Sequence, residues 1–174
     1  MAIHLIIDGY NVIGHGGGLR ADLASQRERL VRRLADYHRR RGHRVTVVFD
    51  GWRAGWPTER DEWIDGVRVI YSREGEPADE VIARLARAEG ASAVVVSSDR
   101  AVQSAARAAG GVPLSCSEFL SKLSARAETP AGPSTADDAG KEDDTEEERP
   151  AVKGGNPRRK SKRERRKAAK LNKL

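Results

Sequence analysis

Ile6-Ile7-Asp8-Gly9-Tyr10-Asn11 closes a nearly continuous apolar run that begins at Ile3. A run so short and so uniformly apolar suits a β-strand covered on both faces, as in a parallel sheet flanked by helices. The aspartate stands where the strand stops. The same arrangement returns in Val47-Val48-Phe49-Asp50-Gly51 and in Val94-Val95-Val96-Ser97-Ser98-Asp99. A fourth aspartate opens a helical stretch in Gly75-Glu76-Pro77-Ala78-Asp79-Glu80. A parallel α/β sheet gathers its strand ends along one edge, where ligands bind. Carboxylates far apart in sequence are therefore expected to meet there. Several carboxylates in one cleft repel each other unless a cation lies between them. Hard oxygen ligands suit Mg2+ or Mn2+, and such ions activate water for phosphodiester cleavage.

Working outward, strands are expected at residues 3–7, 45–49, 67–71, 93–96 and 112–114. Residues 8–19 read as a loop, loosened by Gly14, Gly16, Gly17 and Gly18. Residues 22–41 read as a helix, because Leu23, Leu30, Val31, Leu34 and Tyr37 share one stripe and Gly42 supplies a stop. Residues 51–66 hold all the tryptophans and read as a long loop or small insert. Ala78, Val81, Ile82, Leu85 and Ala86 follow helical spacing up to Gly90. An alanine-rich helix over 101–109 stops at Gly110-Gly111. Ser115-Cys116-Ser117-Glu118 matches a capping box and opens a last helix through Phe119, Leu120 and Leu123. Strands alternating with helices argue for an α/β class with a mainly parallel sheet.

The chain has 174 residues and is 38% hydrophobic, enough for one compact domain. Its apolar runs end near Leu123. The formal charge of +6 favours a polyanionic partner. That charge is uneven: residues 1–136 hold 19 Lys/Arg against 17 Asp/Glu, whereas residues 153–174 hold 11 against Glu164 alone. The organisation expected is a domain at 1–127, a linker at 128–152 and a basic tail at 153–174. The linker is rich in Pro, Ser and Thr and then acidic, with eight carboxylates between residues 137 and 148. Both segments read as disordered when free. Cys116 is the sole cysteine, so no internal disulfide forms and a reducing compartment fits. No signal peptide and no apolar stretch of about 20 residues is visible. A cytoplasmic protein with no membrane role is expected.

Each acidic residue also has a bland reading. Asp8 and Asp50 precede glycines and suit turns. Asp79 sits where a helix dipole favours an anion. Asp99 would cap a helix, and Asn11 suits a turn. Glu76 and Glu80 are weaker candidates. The joint pattern is stronger, because the bland reading needs separate accidents at one sheet edge. Trp52, Trp56 and Trp63, among Arg53, Arg60 and Arg68, suggest stacking on unpaired bases with phosphate contacts; a small apolar cluster pinning the loop is the alternative. The glycines after Asn11 lack the Lys-Ser/Thr of a P-loop and read as a flexible rim. His4, His15, His38 and His43 show no metal-ligand pairing and read as non-catalytic. Lys160, Arg163 and Arg166 represent the basic tail as RNA contacts.

The motifs Asp8-Gly9-Tyr10-Asn11, Phe49-Asp50-Gly51, Glu76-Pro77-Ala78-Asp79 and Ser98-Asp99 followed by Gln103 together resemble the NYN domain. More closely they resemble its YacP-like branch, related to PIN-domain nucleases. The resemblance covers about residues 1–125 and includes motif order and spacing. It implies a three-layer α/β/α sandwich and metal-dependent RNA cleavage. It further implies that Asp8, Asp79 and Asp99 bind Mg2+ or Mn2+, that Asn11 and Asp50 support them, and that Ser98 shapes the site. Pro77 departs from the expected smaller or hydroxylated residue, and the long tail lies outside the pattern.

The first functional reading is thus a divalent-metal-dependent endoribonuclease on single-stranded RNA, with messenger RNA as the expected target. Trp52, Arg53 and Ser98 would contact RNA, and the tail would contact RNA or the ribosome. The alternative is a non-catalytic RNA- or ribosome-binding protein, which the intact aspartates disfavour. A phosphate-accepting domain built on Asp50 ranks third, since Lys122 is the only lysine before residue 141.

Overall fold

A computed structural model describes residues 3–16, 22–54, 57–124 and 168–170. In chain order the elements are β1 (His4–Asp8), α1 (Gly9–His15), α2 (Leu23–Arg41), β2 (Arg44–Phe49), a short α3 (Gly51–Ala54), β3 (Arg60–Ile64) and β4 (Val67–Tyr71). They continue with α4 (Ala78–Glu89), β5 (Ala93–Val96), α5 (Arg100–Ala108), β6 (Val112–Leu114) and α6 (Cys116–Ser124). The strands form one six-stranded sheet in the order β3-β4-β2-β1-β5-β6. All pairings are parallel except β3 with β4.

Side chains alternate across the sheet and divide the core in two. Leu5, Ile7, Val45, Val47, Val94 and Val96 pack with Val12, Leu34 and Phe119 from α1, α2 and α6. Ile6, Val48, Ile70 and Val95 pack with Val81, Ile82, Val102 and Ala106 from α4 and α5. The result is a three-layer α/β/α sandwich. From β1 the chain builds outward through β2 and β4, then returns to β5 on the other side. The reversal opens a crevice at the C-terminal ends of β1 and β5, the position at which such sheets bind ligands.

Two expectations need correction. Residues 8–19 are not all loop, because α1 starts directly after β1. Asp8 caps this helix by accepting the Asn11 N–H, and Val12 and Ile13 enter the core. Its glycines and brevity hid the periodicity. The stretch 51–66 contains α3 and β3 rather than one loop. The hairpin from β3 to β4 turns on Asp65 and Gly66, both at positive φ (48° and 83°), which is the geometry that an Asp-Gly pair favours. β3 escaped notice because it is an edge strand with a polar, exposed face.

Elsewhere the boundaries agree closely. Asp22 caps α2 and Gly42 ends it in the left-handed conformation (φ 67°). The Ser115–Glu118 capping box forms both reciprocal bonds, at 3.1 and 3.3 Å. At the sheet edge away from the crevice, His4 bonds Thr46 at 2.8 Å and contacts Glu89 at 3.1 Å. The expected linker and most of the basic tail lie outside the described residues. Residues 168–170 are helical, and Lys170 donates to the carbonyl of Ala91. Among the described residues no helix is long and apolar enough to cross a membrane.

Candidate active site

The crevice is a cleft of about 560 Å³ lined by Asp8, Asp50, Asp79 and Asp99 with Tyr10, Asn11, Gly14, His15, Pro77, Ala78 and Ser98. The aspartates arrive by separate routes. Asp8 ends β1, Asp50 follows β2, Asp79 lies in the first turn of α4, and Asp99 caps α5. Among the described residues, no lysine or arginine is in the lining.

Asp8 is only 8% exposed. Its Oδ1 accepts the Asn11 N–H at 3.2 Å and its Oδ2 accepts the Ser97 hydroxyl at 3.0 Å. Burial pushes its pKa up to about 6, and the charges of Asp79 and Asp99 add to the rise against these two hydrogen bonds. The Asp79 carboxyl is also pushed up, first by burial and then by Asp99 and Asp50. Asp99 accepts the N–H groups of Ala101 and Val102 at 2.6 and 3.2 Å.

This donor set suits a hard divalent cation: all oxygen and mutually repelling, with Asp8 buried and Asp79 and Asp99 open to solvent. Among the described residues, no three His, Cys, Asp or Glu side chains already stand grouped as ligands of one ion. Asp8, Asp79 and Asp99 are the residues that would hold it, with Asp50 alongside.

Asn11 and Ser98 tie the junctions together. Asn11 Oδ1 accepts the Ser98 N–H and the Cys116 thiol, each at 3.0 Å. Ser98 Oγ accepts the Cys116 N–H at 3.2 Å and lies 3.4 Å from His15 Nε2. One asparagine thereby locks the starts of α1, α5 and α6 to each other. Cys116 is fully buried in this lock.

Other candidates fall away from the cleft. Glu76 pairs with Arg73 and Arg84, and Glu80 is exposed. Trp52, on α3 just past Asp50, is 69% exposed and Trp63 is 68% exposed, so these two form no buried cluster. The Arg53 side chain, Trp56, Lys160, Arg163 and Arg166 lie outside the described residues.

Ser97 and Tyr10 did not stand out in the sequence, and His15, read there as non-catalytic, lines the cleft. Ser97 is fully buried; it donates to Asp8 and its Oγ accepts the Asp99 N–H at 3.1 Å. A serine at the end of a buried strand must satisfy its hydroxyl internally, which was the available signal. Replacing Ser97 with alanine leaves a buried carboxylate oxygen and a backbone N–H without this partner. The expected loss is about 1–3 kcal/mol, measured by urea denaturation, and Asp8 should titrate higher still.

A family model described as the YacP-like NYN domain matches residues 5–171, well beyond the 1–125 over which the motifs were read. The chain is 38% identical over 88 residues to the uncharacterized protein YacP of Bacillus subtilis (strain 168). That match covers 48% of this chain and 51% of the relative, so the chain spans about half the length of the curated relative it matches. Two crystal structures of Rae1 (YacP) from Bacillus subtilis are similar. A mutant form gives a TM-score of 0.60 at 32% identity, covering 71% of this chain and 76% of that one. The other gives 0.57 at 33%, covering 72% and 75%.

Proposed function

We propose that this chain, which belongs to the YacP-like NYN domain family, is a divalent-metal-dependent endoribonuclease acting on single-stranded RNA, with messenger RNA as its target. NYN domains are part of a nuclease superfamily with a PIN-like fold, and such domains generally use divalent metals. The observation that carries the reading is the gathering of four aspartates in one cleft, with no lysine or arginine among the described residues of its lining. Such an arrangement leaves the negative charge for a metal ion to balance.

In this reading Asp8, Asp79 and Asp99 hold Mg2+ or Mn2+. When bound, the cation activates water and stabilises the leaving oxygen of the phosphodiester. Asp50 and the Asn11 lock keep the donors in place. Asp8 would have to lose its proton before its carboxylate could serve as a ligand. Protons therefore compete with the cation for Asp8, and activity is expected to fall at acid pH with a midpoint that moves lower as the metal concentration rises. Trp52 offers an exposed ring for an unpaired base. The direct test is incubation of end-labelled single-stranded RNA with Mn2+, Mg2+ or EDTA. Internal fragments with either ion and none in EDTA are expected; cutting that ignores EDTA would contradict the reading.

The basic tail is proposed to hold RNA, including ribosomal RNA, and to deliver the domain to it. Eleven Lys/Arg against Glu164 in residues 153–174 make a polycation. Deleting residues 128–174 should leave cleavage of a short RNA nearly intact at high enzyme concentration. It should weaken binding to long RNA and flatten the salt dependence. Titrations across a salt series check this; equal affinities and slopes would leave the tail without that role.

A further inference from the structure

The cleft that would accept a phosphodiester is itself acidic, so a fixed positive charge beside it would hold the nucleic acid backbone. Several arginines of the domain are already paired with carboxylates. Arg68 is paired with Asp61, Arg73 with Glu76, Arg84 with Glu59 and Glu76, and Arg44 with Glu89.

Arg27 is placed differently. It projects half-buried from α2, and its Nη1 donates to the phenol of Tyr10 at 2.8 Å. Tyr10 lines the cleft. Among the described residues no carboxylate lies within ion-pair distance of Arg27. A phenol orients the guanidinium without cancelling its charge, and the remaining N–H groups form a planar fork suited to phosphate. The support is rigid. Tyr10 packs edge-on to Phe49 at 5.3 Å and Tyr71 stacks on the same ring at 5.6 Å. Phe49 is fully buried and immediately precedes Asp50. Burial pushes the Tyr71 phenol up, and the Arg27 charge opposes that rise.

We propose that Arg27, oriented by Tyr10, forms a phosphate-binding subsite that holds the backbone of single-stranded RNA beside the carboxylate cleft. The substrate class rests on the nuclease reading above. The anion site itself rests on Arg27, Tyr10 and their packing.

The test uses the full chain as wild type, Arg27→Ala and Arg27→Lys. Binding of a short labelled single-stranded oligonucleotide is followed by anisotropy with Ca2+ as the supporting ion, over a salt series. KM and kcat are measured separately with Mn2+. Arg27→Ala should weaken binding and raise KM about tenfold, as loss of a charge-assisted contact predicts, with kcat little changed. Its salt slope should fall by about 0.7, the share of one phosphate contact on a single strand. Arg27→Lys should keep the slope and recover part of the affinity. Unchanged affinity and slope in Arg27→Ala would overturn the proposal. So would a loss that tracks a lowered melting temperature and is not rescued by Arg27→Lys. If wild type binds through Arg27 yet cuts nothing with Mn2+, the nuclease reading falls and the phosphate subsite stands.

Discussion

Asp8→Asn is expected to abolish RNA cleavage and, at the same time, to stabilise the metal-free protein above neutral pH. The two effects share a cause. Burial and the neighbouring carboxylates raise the Asp8 pKa from 3.8 to about 6. The folded chain therefore binds this proton more tightly than the unfolded chain does. The resulting stabilisation is complete below the unfolded value and is lost as pH rises through about 6. Above that point the ionised carboxylate costs about 3 kcal/mol, to order of magnitude. Asparagine carries no charge and escapes this cost, though it supplies a far weaker metal ligand. Denaturation at pH 5 and pH 8 should show wild type losing stability over the interval and Asp8→Asn losing much less. Cleavage should fall by at least about a hundredfold. A variant that cuts like wild type would remove Asp8 from the ligand set.

Gly51→Ala should unfold the domain or come close to it. A Cβ at Gly51 would stand 1.6 Å from the carbonyl oxygen of Ser72 and 2.8 Å from its carbon. These are backbone atoms, and they cannot step aside. The Ser72 N–H is bonded to Phe49 at 3.0 Å, and its hydroxyl accepts the Gly51 N–H at 3.1 Å. Any shift breaks the link between the ends of β2 and β4 and moves Asp50. A loss above about 4 kcal/mol is expected, at the extreme of single substitutions. Gly14→Ala is the control, since its added methyl meets nothing within 4 Å. Thermal melts separate the two; similar melting temperatures would contradict the close approach.

The glycines of Asp8-Gly9 and Asp50-Gly51 show what the sequence could and could not reveal. Both pairs mark strand ends, and their aspartates were legible for that reason. The glycines look like turn residues but are demanded by packing: Gly9 lies under the Phe49 ring, where a Cβ would come within 2.2 Å. β1, β2, β4 and β5 could be read because they are largely apolar and buried, whereas β3 carries Arg60, Asp61 and Glu62 at the sheet edge and leaves only Asp65-Gly66 as a trace. At the site, backbone position alone announces Asp8, Asp50, Asp79 and Asp99. Ser97 and Arg27 act through partners 89 and 17 residues away, so no local pattern could expose them. Asn11 was legible as a residue but not in its role, which depends on α6 returning Cys116 to it.

One side-by-side assay bears hardest on the metal-ligand role of the carboxylates. Purified wild type and Asp8→Asn are incubated with end-labelled single-stranded RNA, each with Mn2+ and with EDTA. Internal cleavage by wild type with Mn2+ alone, and by Asp8→Asn under neither condition, is the expected outcome. Wild-type cleavage that persists in EDTA, or full cleavage by Asp8→Asn with Mn2+, would show that the aspartate cleft does not hold the ion for the reaction.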